Sequence, residues 1–220
     1  MTDFGFYLVM TNPIAGYASC AEAAVRAEVP ILQLRMKHCP RTEILETARI
    51  VRQITQGSKT LFIVNDDPEI AATVEADGVH LGQEDMPLSL ARQRYPNLKY
   101  FGLSTHNPQQ VREARRQHPD YIGVGPVYPT PTKDIPDPTL GLTTLREMLA
   151  LAPCPAVAIG GIDASRLKEV ISAGAKNLAV VRAVCQSSTP YATIQQLMRD
   201  TQLLWEQAAA GGKSNSTPLN

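Results

Sequence analysis

The chain has 220 residues, 44% of them hydrophobic, a composition that suits one large domain with a single core. Lysine and arginine together number 21, as do aspartate and glutamate, so no net charge attracts nucleic acid or an anionic membrane surface. The apolar runs are too short to span a membrane, and residues 1–10 lack the basic start and long apolar stretch of a secretory signal. We therefore expect neither nucleic-acid nor membrane partners.

Four cysteines are scattered along the chain, at Cys20, Cys39, Cys154 and Cys185. They form no Cys-x-x-Cys pair, and no histidine stands near them at the spacing of metal ligands. We interpret them as reduced structural thiols, which are typical of a cytoplasmic protein.

Short β-prone segments alternate with longer amphipathic segments along the whole chain. The predicted strands are Phe6–Met10, Ile31–Leu34, Leu61–Val64, Gly78–Leu81, Tyr100–Leu103, Tyr121–Val124, Ala156–Ile159 and Leu178–Val181. Helical patterns such as Arg41–Ile54 and Pro108–His118 lie between them. Regular alternation indicates a parallel sheet with right-handed crossovers, and eight units of this length indicate a compact (β/α)8 barrel of the α/β class.

A doubly wound open sheet is the alternative, although the Gly-x-Gly-x-x-Gly motif of its nucleotide-binding form is missing after the first strand. No linker divides the chain, so residues 1–207 are predicted to form one barrel domain. The last helix is predicted over Pro190–Gln207 with an inner stripe of apolar residues. These are Ile194, Leu197, Leu203 and Leu204. The small, polar segment Ala208–Asn220 is predicted to be a disordered tail. The sequence leaves a homo-oligomer open.

In a barrel, functional residues follow the carboxyl ends of the strands, and polar clusters occur there in this chain. The second strand is followed by Arg35 and Lys37, whose alternate spacing lets both side chains reach the barrel mouth. An arginine fork and a lysine point charge together could hold a diphosphate. A solvated basic loop end is the alternative.

Acidic residues follow the third and fourth strands, at Asp66 and Asp85. Carboxylates that end neighbouring parallel strands lie side by side, and two of them with phosphate oxygens and water suit Mg²⁺. Helix capping is the alternative for Asp66, whereas Asp67 before Pro68 is predicted to be an N-cap. His80 lies within the strand pattern, and we interpret it as an interior residue rather than a metal ligand.

The fifth strand ends near Ser104, which could donate to a phosphate oxygen or begin a helix. The sixth opens into the long, proline-rich loop Gly125–Lys133, which is typical of a binding loop or lid. Gly160 and Gly161 follow the seventh strand, where the loops after strands seven and eight usually form the phosphate site of such a barrel. The residues thus predict two anion sites, one linked to a metal and one without, as in a transferase or lyase.

These segments together resemble the thiamine-phosphate synthase family over roughly Tyr7 to Val184. The motifs that carry the resemblance are Gln33–Lys37, Asn65-Asp66, Gly78–Asp85, Gly102–His106, Gly125–Lys133 and Ile159–Ile162. The family is a small (β/α)8 barrel that joins hydroxymethylpyrimidine diphosphate to a thiazole phosphate, releasing pyrophosphate. The resemblance therefore implies a Mg²⁺-dependent transferase of thiamine biosynthesis.

Carried over by motif position, Asp66 and Asp85 would hold Mg²⁺. The pyrimidine diphosphate would be bound by Gln33, Arg35, Lys37, Asn65, Ser104 and Lys133. The thiazole phosphate would face Thr130, Thr132, Gly160, Gly161, Val181 and Arg182. Arg35, Lys37, Ser104 and Lys133 would be the catalytic set, and the substrate would ionise to a methylene cation that the thiazole nitrogen attacks.

Two positions depart from the family pattern: Met36 replaces a glutamate in the basic motif, and Arg182 replaces a serine after the last strand. Three alternatives stay open. A related thiazole tautomerase tends to lose the acids that this chain retains, a Schiff-base aldolase would use Lys133, and a non-catalytic paralogue would bind thiamine precursors as a sensor.

Overall fold

The computed structural model describes residues 2–131 and 138–213, with side chains described as far as residue 210. The strands, all parallel, are β1 (Phe6–Met10), β2 (Ile31–Leu34), β3 (Leu61–Asn65), β4 (Gly78–Leu81), β5 (Tyr100–Thr105), β6 (Tyr121–Val124), β7 (Ala156–Ala158) and β8 (Asn177–Val180). Each strand pairs with the next in the chain, and β8 pairs with β1 to close the ring. The predicted (β/α)8 barrel is therefore confirmed, and the open sheet is excluded.

The helices surround the barrel. They are α1 (Tyr17–Arg26), α2 (Arg41–Thr55), α3 (Pro68–Thr73), α4 (Leu88–Arg94), α5 (Pro108–Gln117), α6 (Gly141–Leu151), α7 (Leu167–Ser172), α8 (Arg182–Cys185) and α9 (Pro190–Lys213). Within the described ranges, no helix is both long enough and apolar enough to cross a membrane. All four cysteines carry free thiols.

The strands bury two distinct faces because successive side chains point to opposite sides of a strand. One set of alternate residues fills the barrel interior, namely Tyr7, Val9, Ile31, Ile63, Tyr121, Val157 and Ala179. The other set packs outward against the helices in a larger core that includes Leu8, Leu32, Phe62 and Leu178. Inward-facing residues therefore become the floor of whatever site lies at the barrel mouth.

The last helix begins at the predicted residue and runs to Lys213, so it takes in residues 208–213, which were assigned to the tail. Residues 214–220 lie outside the described part of the chain. Ile194 and Leu197 are buried as predicted, and Leu204 packs against the core. The prediction for Leu203 was wrong, since 54% of this residue is exposed. The inner stripe continues instead through buried Thr201 and through Trp205, whose indole N–H donates to the Ala175 carbonyl at 2.9 Å.

Asp67 confirms the predicted start of α3. Its side chain accepts from the Ile70 amide at 2.8 Å, and Pro68 occupies the first turn, where it needs no donor. Such a cap stabilises a helix by about 1 kcal/mol. The two adjacent acids therefore have different roles, because Asp67 caps α3 whereas Asp66 directly follows the end of β3.

Candidate active site

A cavity of about 500 Å³ opens at the carboxyl ends of the strands. This is the end at which (β/α)8 barrels carry their active sites. Nine of the residues predicted for the site line the cavity. These are Gln33, Arg35, Asn65, Ser104, Thr130, Gly160, Gly161, Val181 and Arg182. Lys37, Asp66 and Asp85 lie at its edge and not in the lining. Thr132 and Lys133 fall outside the described residues.

The segment after β2 keeps the strand's alternation. Arg35 lines the cavity, whereas Met36 turns the other way and is 8% exposed within the hydrophobic core. Lys37 is exposed, and its ammonium group donates to Oδ2 of Asp66. The departure from the family pattern at Met36 therefore points away from the cavity and removes no group that lines it.

The two acids predicted to bind a metal lie beside each other. Asp66 has a left-handed backbone (φ 64°), and its amide donates to the His80 carbonyl at 2.8 Å. Oδ2 of Asp85 accepts from the Gly82 amide at 2.6 Å. Burial raises the pKa of Asp85, the Gly82 amide lowers it, and the neighbouring Asp66 carboxylate raises it again. Two carboxylates this close repel each other in the absence of a cation.

This arrangement fits Mg²⁺. Among the described residues, no group of three or more His, Cys, Asp or Glu side chains could hold a metal ion. The protein would therefore supply the two carboxylates of Asp66 and Asp85, leaving the other positions to water and substrate oxygens. Mg²⁺ commonly binds in this way, through one or two carboxylates and the phosphates of a substrate.

Polar side chains from five strands form a connected chain across the cavity floor. Gln33 Nε2 donates to the Tyr7 hydroxyl at 2.7 Å, which lies 2.8 Å from the Tyr121 hydroxyl. The Tyr121 hydroxyl is 3.1 Å from His80 Nδ1, and His80 Nε2 is 2.9 Å from the Ser104 hydroxyl. The interpretation of His80 as an interior residue is confirmed. Burial raises the pKa of both phenols, so both keep their protons at neutral pH.

On the opposite side of the cavity, the loops after β6 and β7 are joined through their backbones. The Val127 amide donates to the Ile159 carbonyl at 2.9 Å, and the Tyr128 amide donates to the Gly160 carbonyl at 3.0 Å. Gly160 has φ 102°, in the left-handed region that favours glycine. The two loops thus form one wall of the cavity, with Gly160 and Gly161 at its surface.

Arg166 supports this wall and also lines the cavity. Its Nη1 donates to the Gly161 carbonyl, and its guanidinium carbon lies 4.5 Å from the centre of the Tyr128 ring. The Tyr128 hydroxyl in turn donates to Glu169 at 2.8 Å. With Arg182, Arg166 gives this end of the cavity two cations against the one carboxylate of Asp163, so its net charge is positive. The cavity therefore has a cationic wall of glycines and arginines opposite the side that carries Arg35.

A family model described as thiamine monophosphate synthase matches residues 6–184, the whole barrel from β1 to α8. The chain belongs to this family.

Individual relatives agree with the family match. Thiamine-phosphate synthase of Nostoc punctiforme is 43% identical over 192 residues, covering 87% of this chain and 54% of the relative. Thiamine-phosphate synthase of Chloroflexus aurantiacus is 36% identical over 211 residues and covers 94% of this chain and 97% of the relative. A solved thiamine phosphate pyrophosphorylase from Pyrococcus furiosus superposes with a TM-score of 0.84 at 30% identity, covering 92% of this chain and 98% of that one.

The chain spans about half the length of the first curated relatives that it matches, 54% in the case of Nostoc punctiforme. The likeness therefore covers the barrel that these thiamine monophosphate synthase relatives share, and not the remainder of the longer proteins.

The sequence interpretation missed several residues that line the cavity of this family member. Tyr7 and Tyr121 occupy inward-facing positions of β1 and β6. Every second residue of a strand faces inward, as Gln33 and Arg35 do, and applying this alternation to every strand would have identified both tyrosines. Arg166 comes five residues after Gly161 and is the N-cap residue of α7. No sequence pattern signals its position, because it enters the cavity only through the packing of Tyr128 beneath it.

Proposed function

We propose that this protein is a thiamine-phosphate synthase. It would couple 4-amino-2-methyl-5-hydroxymethylpyrimidine diphosphate with 4-methyl-5-hydroxyethylthiazole phosphate. The products would be thiamine phosphate and pyrophosphate, and the reaction would depend on Mg²⁺. Membership of the family supports the proposal, and the cytoplasmic location expected from the four free thiols is consistent with it.

The observation that carries the proposal is the distribution of charge in one cavity. Arg35 lies on one side, next to the Asp66–Asp85 edge, while Arg166 and Arg182 lie on the other with the two glycines. Arg35 on one side and Arg166 with Arg182 on the other, with the hydrogen-bonded floor between them, suit two phosphorylated substrates bound face to face.

On the acidic side, Arg35 and Ser104 would bind the diphosphate, and Lys37 would join them by leaving Asp66. A Mg²⁺ ion held by Asp66 and Asp85 would neutralise charge on the departing pyrophosphate. Lys133 is expected to contribute a further cation to the same group. Donors that are already in place for the leaving group stabilise it more strongly than water does, because they need no reorganisation during the reaction.

On the other side, Gly160, Gly161, Arg166 and Arg182 would hold the thiazole phosphate, with Thr130 and Thr132 from the loop after β6. Holding the thiazole by its phosphate keeps the ring nitrogen close to the carbon that loses pyrophosphate. The aminopyrimidine can stabilise a methylene cation, so we propose that carbon–oxygen cleavage precedes attack. No enzyme nucleophile is needed, and the described residues that line the cavity include neither lysine nor cysteine.

The two departures from the family pattern carry different weight. Met36 lies in the core, which leaves the cavity unaffected. Arg182 lines the cavity beside the glycines, and we propose that its guanidinium binds the thiazole phosphate in place of a serine hydroxyl. Retention of Asp66 and Asp85 favours the synthase over the tautomerase, which would need no metal-linked diphosphate site.

Incubating the protein with both phosphorylated substrates tests the proposal, with Mg²⁺ present or replaced by EDTA. We expect thiamine phosphate and pyrophosphate in equal amounts, and neither product with EDTA. Isomerisation of the thiazole phosphate alone would support the tautomerase, and borohydride trapping of a carbonyl substrate would support the aldolase. Binding of both substrates without product at saturation would rule out the synthase and support a sensor.

A further inference from the structure

The hydrogen-bonded series of side chains across the cavity floor connects five different strands. Its five members come from β2, β1, β6, β4 and β5, so no local sequence motif assembles it. The members are Gln33, Tyr7, Tyr121, His80 and Ser104, all of which line the cavity. The family resemblance implies that the two ends, Gln33 and Ser104, bind the pyrimidine diphosphate. The three in the middle have been given no role so far.

The barrel keeps space for this chain. A Cβ atom at Gly102 would overlap the Tyr121 ring and His80 Nδ1, the two partners of its central hydrogen bond. The two rings are stacked, with centroids 5.4 Å apart. Glycine at this inward position of β5 therefore allows His80 and Tyr121 to approach each other across the interior.

The protons of the chain can be followed from one end to the other. Gln33 Nε2 can only donate, so the Tyr7 oxygen accepts from it. The Tyr7 proton then points to its other neighbour, the Tyr121 oxygen, and the Tyr121 proton points to His80 Nδ1. A neutral imidazole that accepts at Nδ1 carries its proton on Nε2, which donates to Ser104 Oγ. The Ser104 proton is thereby left to point toward a ligand.

We propose that Tyr7, Tyr121 and His80 are positioning residues that form a one-directional hydrogen-bond relay. The relay orients both of its ends at once. Gln33 Oε1 is presented as an acceptor for the amino group of the pyrimidine, and the Ser104 hydroxyl is presented as a donor to the diphosphate. The assignment of the two ends to an aminopyrimidine diphosphate rests on the proposed function. The direction of the relay can be measured whether or not that function is correct.

The opposite direction has different consequences. If the Gln33 amide were turned over, its oxygen would accept from Tyr7 and every bond in the chain would reverse. His80 would then carry its proton on Nδ1, and the Ser104 proton would be directed at Nε2. Phosphate oxygens accept hydrogen bonds and do not donate them when ionised, so this direction would offer the diphosphate no donor from Ser104. The chemistry of the proposed substrate therefore selects the first direction.

The direction can be read from the tautomer of His80. The protein has four histidines. Labelling them with ¹⁵N gives separate NMR signals for protonated and unprotonated ring nitrogens. The His80 signals are assigned as those that disappear in His80→Gln. In the ligand-free protein at neutral pH, we expect Nε2 to be protonated and Nδ1 to be unprotonated. A proton on Nδ1, or protons on both nitrogens, would overturn the proposal.

Two phenylalanine variants test whether the relay sets this state. Tyr121→Phe removes the donor to Nδ1, so both tautomers of His80 should appear. Tyr7→Phe leaves that donor in place but frees the Gln33 amide, so the tautomer should persist. Tyr95→Phe, at the end of α4 and outside the cavity lining, is the matched control and should change nothing. An unchanged single tautomer in Tyr121→Phe would overturn the claim that the relay positions His80.

Kinetics then test the assignment of the two ends. In Tyr7→Phe we expect KM for the pyrimidine diphosphate to rise about fivefold with kcat nearly unchanged, the loss of one oriented hydrogen bond. In Tyr121→Phe, kcat should also fall, because the Ser104 donor to the leaving group is no longer held. Equal kinetics in both variants and the control would refute the role of the relay in substrate positioning. An inactive wild-type protein with the expected His80 tautomer would refute the proposed function and leave the relay intact.

Discussion

The joined loops after β6 and β7 can be tested by a pair of alanine variants at glycines with nearly equal φ. Gly160 and Gly174 have almost the same φ, 102° and 101°. A Cβ atom at Gly160 would lie 2.5 Å from Pro126 Cα and 3.1 Å from the Val127 nitrogen, whereas one at Gly174 would have nothing within 4 Å. The difference between Gly160→Ala and Gly174→Ala therefore isolates the contact between the two loops from the strain of the backbone.

The magnitudes follow from these contacts. Each alanine pays about 1–3 kcal/mol for a left-handed backbone, and this cost is common to both variants. The overlap at Gly160 adds about 2 kcal/mol, as for other overpacked positions. In a domain of this size, 1 kcal/mol corresponds to about 2–4 °C in Tm, so Gly160→Ala should melt about 4–8 °C below Gly174→Ala.

Thermal unfolding followed by circular dichroism measures the difference in Tm between the two variants. Steady-state kinetics measure the effect of each variant on substrate binding. Moving the Gly160–Gly161 wall should raise KM for the thiazole phosphate about tenfold, the loss of one hydrogen bond to a charged group. KM for the pyrimidine diphosphate should stay unchanged in both variants. Equal Tm values for the two variants would refute the steric reasoning, and an unchanged KM for the thiazole phosphate would refute the placement of its phosphate at this wall.

Variants at three further positions address the metal site, the cationic wall and the neighbouring cap of α3. Asp85→Asn keeps an acceptor for its amide partner but loses the charge, so Mg²⁺-dependent turnover should fall about a hundredfold. Because burial and Asp66 raise the pKa of Asp85, Tm without Mg²⁺ should rise in this variant; a lower Tm and normal turnover would contradict the metal site. Arg166→Met should raise KM for the thiazole phosphate about tenfold at similar kcat, with partial recovery in Arg166→Lys; a change confined to Tm would assign Arg166 a structural role alone. Asp67→Ala removes the α3 cap and should lower stability by about 1 kcal/mol with normal Mg²⁺ dependence, and a changed dependence would place Asp67 in the metal site.

The order of strands and helices could be predicted from the sequence with little ambiguity. Four of the eight strands begin and end at the predicted residues, and the other four differ by one or two residues at one end or at both. Short β-branched and aromatic segments between amphipathic ones have few alternatives when every crossover must be right-handed. The residues at strand ends, such as Arg35 and Asp66, were found for the same reason, because their positions follow directly from the chain order.

Errors arose where the position of a residue depends on a distant partner. Leu203 is apolar and was assigned to the buried side of α9, but Trp205 covers that part of the barrel instead. Periodicity alone does not determine which of several neighbouring apolar residues finds a surface to pack against. Arg166 was missed for a related reason, since its place in the cavity depends on the ring of Tyr128 from another loop.

The sequence by itself determined the barrel, the two loops that we propose to bind anions, and the pair of acids at neighbouring strand ends. Each of these follows from local pattern and from the order of elements along the chain. Only the tertiary structure decided that Met36 turns into the core and that His80 bonds to Tyr121 and Ser104. Closing the ring brings strands that are far apart in sequence face to face across the interior. Contacts across that space depend on side-chain lengths and on a glycine such as Gly102, which no local pattern records.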